Sequence, residues 1–437
     1  MSILSQLKQS QNTDFPNLRP SLDLRFALAK KLDPRITFTR GSTGTYFGSD
    51  GIMRTAGVNE PRFDHNPITG QSLGLLIEES RTNLIANSNT LSSWGAVSVP
   101  ILTQDVVGLD GQSNTGWTVN DQYTLGDGAF IERSVSITPS TNPYCFSVFV
   151  KRGTAIWFDM YAFFIGTSTR AVYLNYNWGT QTLSVGSAEN SPPVPTIYGK
   201  IDYPNGWSRF YLVFSDPIGT NTNFLLRLYP SSRNAGYVGS TLFYGAQVEA
   251  GSSPTSYIPT TASTVTRSAD LASMTGTNFS SWYNQSEGTI YLETDKLYLG
   301  NFDAYRHPYK IDSGSNADQI TAYTLPGSTA ITNYGIVTGG RQVNDYQQIN
   351  IGSSPIKYKL GQSVNSKYFF FTTSTGRVSP QLPSKSAPNT HNLSLATNMS
   401  RLFIGNNAGG GQINSHISRL TYYPIQLTNQ QLINLVS

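Results

Sequence analysis

Leu22, Leu24 and Phe26 alternate with Asp23 and Arg25, the two-residue period of a strand with one buried face. Ile36-Thr37-Phe38-Thr39 repeats the pattern. Thr45-Tyr46-Phe47 and Ile52-Met53 flank Gly48-Ser49-Asp50-Gly51, whose Asp-Gly pair predicts a hairpin turn. Leu73-Gly74-Leu75-Leu76-Ile77 is a short apolar run after the turn signal Asn66-Pro67-Ile68-Thr69-Gly70, and it predicts a buried strand. It is too short to span a membrane.

From residue 86 onward, short apolar runs recur between Gly, Pro, Asn and Ser turns, as in a sandwich or barrel. Phe146, Val148 and Val150 share a face, and Trp207 to Phe214, Phe224 to Tyr229 and Leu242 to Glu249 read as further strands. Beyond residue 274 the pattern resumes at Gly288 to Glu293, Lys367 to Phe371, Arg401 to Gly405 and Ile413 to Tyr423. Only the end of the chain reads as a helix. Thr428 and Gln431 form a capping box, with Leu427 and Leu432 placed as a hydrophobic staple.

The predicted fold class is therefore all-β: an N-terminal docking segment, two antiparallel β-sandwiches and a short C-terminal helix. The expected boundaries are 1-85 for the docking arm and its connecting module, 86-273 for the first sandwich with its exit linker, and 274-437 for the second.

Composition sharpens this picture. The 437 residues are 13% charged and 12% aromatic, with 25 Tyr and 21 Phe, too much ring surface for a disordered chain. The net charge of +4 comes without a long basic run, which argues against nucleic acid as a partner. Cys145 is the one cysteine, so no intrachain disulfide forms, and it reads as a small buried hydrophobe. The first residues show no signal peptide, and nothing predicts membrane insertion.

Charge is concentrated where the chain is otherwise sparing of it. Glu60, Arg62, Asp64, His65, Glu78, Glu79 and Arg81 crowd between Gly57 and Ser88, and an ion pair of Glu78 or Glu79 with Arg62 or Arg81 is expected. The runs Leu32-Asp33-Pro34-Arg35-Ile36-Thr37-Phe38-Thr39-Arg40, Asn59-Glu60-Pro61-Arg62-Phe63-Asp64 and Gly74-Leu75-Leu76-Ile77-Glu78-Glu79-Ser80-Arg81-Thr82-Asn83-Leu84 resemble a module of tailed-phage virion proteins. In that family it joins an attachment segment to downstream carbohydrate-binding β-sandwiches. Gly245-Ala246-Gln247-Val248-Glu249-Ala250-Gly251 followed by Pro254-Thr255-Ser256-Tyr257-Ile258-Pro259-Thr260 resembles the exit of the jelly-roll domain of such proteins. Ser286 to Leu292, Gly405 and the terminal strand-Pro-helix resemble a concanavalin A-like (laminin G-like) sandwich. The resemblance implies a virion-surface protein that docks on other virion proteins through its N-terminal region, forms a homotrimer and binds a host surface glycan; related modules occur on tail fibres, tail spikes and head appendages, so head or tail stays open, with the tail preferred. A head decoration or assembly component without receptor binding, and a polysaccharide depolymerase, are the alternatives.

Chemistry is sparse. His65, His307, His391 and His416 lack metal-ligand spacing, and no nucleophile elbow or phosphate loop occurs. Glu293-Thr294-Asp295 begins like the carboxylate strand of a glucanase, but Lys296, Leu297 and Tyr298 stand where the further carboxylate would be. No catalytic residue and no cofactor is expected. A Ca2+ site, if present, would draw on Asp303 and Asp318. Sugar binding needs ring faces together with amides and carboxylates. The candidates are Trp157, Tyr161, Trp178, Tyr198, Tyr229 and Tyr237 in the first sandwich, and Tyr305, His307, Tyr309 and Tyr334 near Asp303, Asn316 and Asp318 in the second; Asn301 to Asp318, where polar and aromatic residues alternate without a strand-like pattern, is the expected binding loop.

Overall fold

The computed structural model describes residues 16, 18–165, 170–190, 194–216, 218–234, 236–297, 305–315, 317–324, 330–338, 341–350, 356–365, 369–373 and 398–436. The fold is all-β, with 49% strand and 6% helix, and every strand pairing among the described residues is antiparallel. Two sandwiches account for nearly all the strands.

The inserted sandwich is continuous in sequence. One sheet runs Ile197–Asp202, Trp207–Ser215, Pro143–Arg152, Gly239–Ala250, Gly116–Asp121, Ile101–Val106. The facing sheet runs Thr182–Ala188, Arg170–Asn177, Trp157–Ile165, Asn223–Tyr229, Phe130–Ser136, Gly95–Val97. Phe146, Val148 and Val150 from the first sheet meet Phe158, Met160, Phe164 and Leu226 from the second in a core that excludes water. Cys145 lies buried in the same strand, and burial raises its thiol pKa well above the ordinary range.

The second sandwich is assembled from both ends of the chain. Its first sheet runs Phe369–Thr373, Ile356–Asn365, Glu287–Leu297, Ser415–Tyr423, Ser72–Ile77, Phe63–His65, and Leu22–Leu24 also pairs with Ser415–Tyr423. Its second sheet runs Thr37–Thr39, Leu271–Thr275, Arg401–Ile404, Arg306–Asp312, Gln319–Thr324, Ala330–Thr338, Arg341–Asn350. Leu22, Leu24, Leu75, Ile77, Leu292 and Leu420 of one sheet pack on Phe38, Ala272, Met274, Ile311, Leu402 and Ile404 of the other.

This redraws the expected partition. From residue 22 to residue 77 the chain does not stand apart as an arm but supplies strands and core side chains to the carboxy-terminal sandwich. The physical reason is the alternation itself: Leu22 and Leu24 must bury their shared face, and Ser415–Tyr423 offers both an open edge and that core. The inserted sandwich leaves and rejoins this frame through a narrow neck, where Arg81–Asn83 pairs with Val265–Arg267.

Smaller expectations hold. Gly44–Phe47 and Met53–Ala56 pair as a hairpin around Gly51, which adopts φ +75°. Asn429–Val436 is helical, and its capping box closes reciprocally, Thr428 N–H to Gln431 Oε1 at 3.1 Å and Gln431 N–H to Thr428 Oγ1 at 3.3 Å.

Candidate functional site

The strand Trp157–Ile165 turns alternate side chains to opposite faces. Phe158, Met160, Ala162 and Phe164 enter the core. Trp157, Asp159, Tyr161 and Phe163 therefore face outward, and the neighbouring strand Arg170–Asn177 adds Tyr173 opposite Tyr161 and Asn175 opposite Asp159. Tyr161 and Tyr173 stack with centroids 4.9 Å apart. Gly186 makes this possible, because a Cβ there would run into the Tyr173 ring.

The segment after Asn223–Tyr229 folds over this surface and converts it into a cleft. Asp159 holds the segment down: its Oδ2 accepts from Arg233 N–H at 2.9 Å and from Ser232 Oγ at 3.3 Å. Burial pushes the Asp159 carboxyl up to about 6, against the lowering effect of the Arg233 N–H, Asn175 and Ser232 hydrogen bonds. The Arg233 guanidinium lies over Tyr161 at 5.3 Å, with Glu189 at 3.3 Å and Asp127 at 3.5 Å. Tyr237, further along, meets Trp157 edge to face at 6.3 Å.

The result is a cleft of about 450 Å³, whose walls include Trp157, Tyr161, Tyr173 and Tyr237 beside Asn175, Ser184 and Asn234. Rings next to amide and hydroxyl groups, Trp157 and Tyr173 half-buried and Tyr237 exposed, match the two surfaces of a sugar, its apolar ring face and its hydroxyls.

The sequence-derived candidates separate accordingly. Trp157, Tyr161 and Tyr237 come together in the cleft. Trp178 does not: its ring packs edge-on against Tyr176 at 4.9 Å and against the core. Tyr229 is fully buried beneath the outer sheet face, and Tyr198 is exposed on the other sheet. The stretch around residue 305, expected to be a binding loop, is a strand from Arg306 to Asp312 with both faces covered. Tyr309 is wholly buried in the core, and His307 is buried with Nδ1 3.0 Å from Thr321 Oγ1, so neither presents a ring face. Tyr305 is half-exposed, stacked at its edge with Tyr323 at 5.5 Å, and Asp318 closes a turn with Ser313. Asp303, Asn316 and the Tyr334 side chain lie outside the described residues. Glu293 accepts from the Tyr291 hydroxyl. Arg233, Asn175 and Asn234 were not foreseen. For Arg233 and Asn234 the signal was the polar turn Ser231-Ser232-Arg233-Asn234 shortly after an alternating strand, whereas Asn175 lies on the Arg170–Asn177 strand.

The charged module forms a buried cluster at the neck. Arg40 Nη1 donates to Asp270 at 3.0 Å, and Arg62 reaches Asp270 at 2.5 Å and Glu78 at 2.8 Å. Arg267 lies 3.0 Å from Glu78, and Glu79 takes Arg81 together with Arg306. One pairing of Glu78 or Glu79 with Arg62 or Arg81 was expected, and two are present, Glu78 with Arg62 and Glu79 with Arg81. Asp64 binds His416 Nε2 at 2.9 Å, Glu60 caps the Gly57 N–H at 2.6 Å, and Asp33 pairs with Arg35 at 2.7 Å near the surface. This is positioning chemistry: each buried charge has its counter-charge, as burial requires.

No protein-family model matches the chain, and no curated protein matches it. Solved structures with partial similarity include the CBM40 domain of the Ruminococcus gnavus IT-sialidase bound to alpha2,6 sialyllactose (12% identity, 35% of this chain, 85% of that one, TM-score 0.27). The leech intramolecular trans-sialidase is 12% identical over 35% of this chain and 23% of its own, with a TM-score of 0.27. Domains LG4-5 of the mouse laminin alpha1 chain are 11% identical over 70% and 87% of the two chains, with a TM-score of 0.19. At such TM-scores these likenesses carry no argument about this chain.

Proposed function

We propose that the chain is a non-catalytic glycan-binding protein, and that the Trp157 cleft on the outer face of the inserted sandwich is where it holds sugar. The observation that carries this reading is the pairing of Trp157 with Tyr237 beside Asn175, Asn234 and Ser184. The rings can lie along a pyranose face while the amides and hydroxyl take its hydroxyl groups. The finer reading is that of a phage virion-surface protein, on the tail rather than the head, joined to other virion proteins through its N-terminal region and presented as a homotrimer to a host surface glycan. The residue runs from Leu32 to Leu84 support it. Repetition of the cleft in a trimer would compensate for weak single-site affinity through effective concentration.

An array of bacterial envelope glycans, probed with the full chain and with Trp157→Ala and Tyr237→Ala, tests the binding role. Binding by the unaltered chain that both variants lose is the expected result. A blank array overturns adhesion and leaves a head decoration or assembly component, which labelling of the chain in intact particles would locate.

A further inference from the structure

A second cleft, of about 540 Å³, lies between the two sandwiches. It falls within the size range of small-molecule sites, about 300–1,000 Å³. One wall comes from the composite sandwich, with His65 and Ser415, and from the hairpin strand Gly44–Phe47, with Phe47. The other comes from the inserted sandwich, with Lys200, Tyr203 and Arg209.

Arg209 sets this cleft apart. The other buried arginines, Arg40, Arg62, Arg81, Arg267 and Arg306, each have a carboxylate partner. Arg209 is only 4% exposed and, among the described residues, has none. Its Nη1 donates to the Thr255 carbonyl at 2.6 Å and its Nη2 to Ser147 Oγ at 2.9 Å, while its guanidinium rests on the Phe149 ring at 5.1 Å and its Nε has no partner. Neutral acceptors and a ring face solvate a guanidinium less completely than a carboxylate does, and an uncompensated buried charge is costly. The cleft therefore favours a negative charge near this wall.

Two further buried groups lack partners. His65 is 7% exposed, and its Nδ1 must donate to the Phe47 carbonyl at 3.0 Å because a carbonyl only accepts. That leaves Nε2 buried without a partner. Ser415 Oγ is likewise buried and unpartnered. A ligand hydroxyl satisfies either group. Phe47 and Tyr203, with centroids 5.0 Å apart, supply ring surface. Among the other ionisable groups on the lining, Lys200 pairs with Asp202 and Glu78 with Arg62 and Arg267, and Asp64 is hydrogen-bonded to His416 Nε2.

We propose that this inter-sandwich cleft binds an acidic sugar unit, with its carboxylate toward Arg209 and its hydroxyls toward His65 and Ser415. The site is separate from the Trp157 cleft and does not depend on that reading. Its occupant touches both sandwiches and so fixes their relative orientation.

Titration of the full chain with sodium D-glucuronate, methyl β-D-glucoside and sodium acetate at matched ionic strength tests it, with binding read by saturation-transfer NMR. Glucuronate is expected to bind at least tenfold more tightly than either of the others, and this comparison needs no variant. Arg209→Gln should erase the preference for glucuronate over the glucoside. His65→Ala should weaken both sugars, and Trp157→Ala should leave glucuronate binding unchanged. Equal binding of glucuronate and glucoside overturns the proposal, as does acetate binding as tightly as glucuronate. Loss of glucuronate binding on Trp157→Ala with His65→Ala silent also overturns it, because the sugar would then sit in the outer cleft.

Discussion

Glu78 and Ser256, 178 positions apart, are joined by two hydrogen bonds: the Ser256 N–H donates to Oε1 at 2.7 Å and its hydroxyl to Oε2 at 2.6 Å. The contact ties the end of the Ser72–Ile77 strand to the segment by which the chain leaves the inserted sandwich. Arg62 and Arg267 complete the enclosure of the same carboxylate. Burial alone would raise the Glu78 pKa, but Arg267, Arg62 and Ser256 together hold it well below the usual carboxylate range.

Glu78→Gln should therefore cost about 3–5 kcal/mol, because it leaves the buried Arg267 without its counter-charge and Arg62 with Asp270 alone. Urea unfolding at neutral pH measures this. The sign of the pH effect follows from the lowered pKa. The stabilisation is present above the unfolded value, near about 4.3, and is lost as pH falls from there through the folded value. Acid unfolding of the parent chain should steepen below that point, and the variant should lack that component.

Much of this neck was legible. The charges from Glu60 to Arg81 and the Ser256-Tyr257-Ile258-Pro259 exit both stood out in the sequence. That they meet did not, because period-two alternation says which face of a strand is buried and not which strand lies beside it. The same gap hid the pairing of Leu22–Leu24 with Ser415–Tyr423, and with it the composite sandwich. Arg306–Asp312 was misread for a related reason. A strand covered on both faces shows no alternation, so Tyr305, His307 and Tyr309 looked like loop residues when two of them are core. Trp157 and Tyr161 were legible as candidates. Their cleft was not, since it depends on the segment that Asp159 holds over the sheet.

Trp157→Ala should weaken glycan binding at the outer cleft about tenfold, equivalent to about 1.4 kcal/mol, and leave the fold nearly unchanged. The ring is half-buried and contributes to the cleft wall rather than to the core. Tyr161→Ala should instead lower the thermal midpoint as well, because Tyr161 is buried between Tyr173, Phe163 and Tyr229. Parallel binding and melting measurements separate the two kinds of loss. Equal melting penalties for both variants would contradict the assignment of Trp157 to the ligand.

His307 should make the chain less stable as pH falls from about 6.5, the ordinary histidine value, to 4. Burial, helped by nearby Lys310, lowers its pKa to about 4. Across that window the unfolded chain takes a proton that the folded chain refuses, which amounts to about 3 kcal/mol at 1.36 kcal/mol per unit. His307→Gln should flatten the pH dependence of urea unfolding between pH 6.5 and 4. The slope is the readout, because the variant also alters the contact with Thr321.

Asp159 acts in the opposite direction. Its carboxyl titrates at about 6 in the folded chain because burial disfavours the charge, against about 3.9 unfolded. The folded state therefore holds a proton that the unfolded state has released, and stability falls as pH rises from about 4 through 6. The full penalty above that range is about 3 kcal/mol, from two units of difference. Asp159→Asn removes the charge and keeps an oxygen to accept from the Arg233 N–H and the Ser232 hydroxyl. The variant should be more stable than the parent at pH 8, with the gap narrowing at pH 5, and should retain glycan binding because the segment above the sheet keeps its anchor. Urea unfolding at the two pH values, with the binding assay alongside, tests both halves. A gap that does not change with pH would mean that Asp159 is already neutral at pH 8 or never buried as a charge, and loss of binding would mean that the carboxylate itself, beyond its role as an acceptor, shapes the cleft.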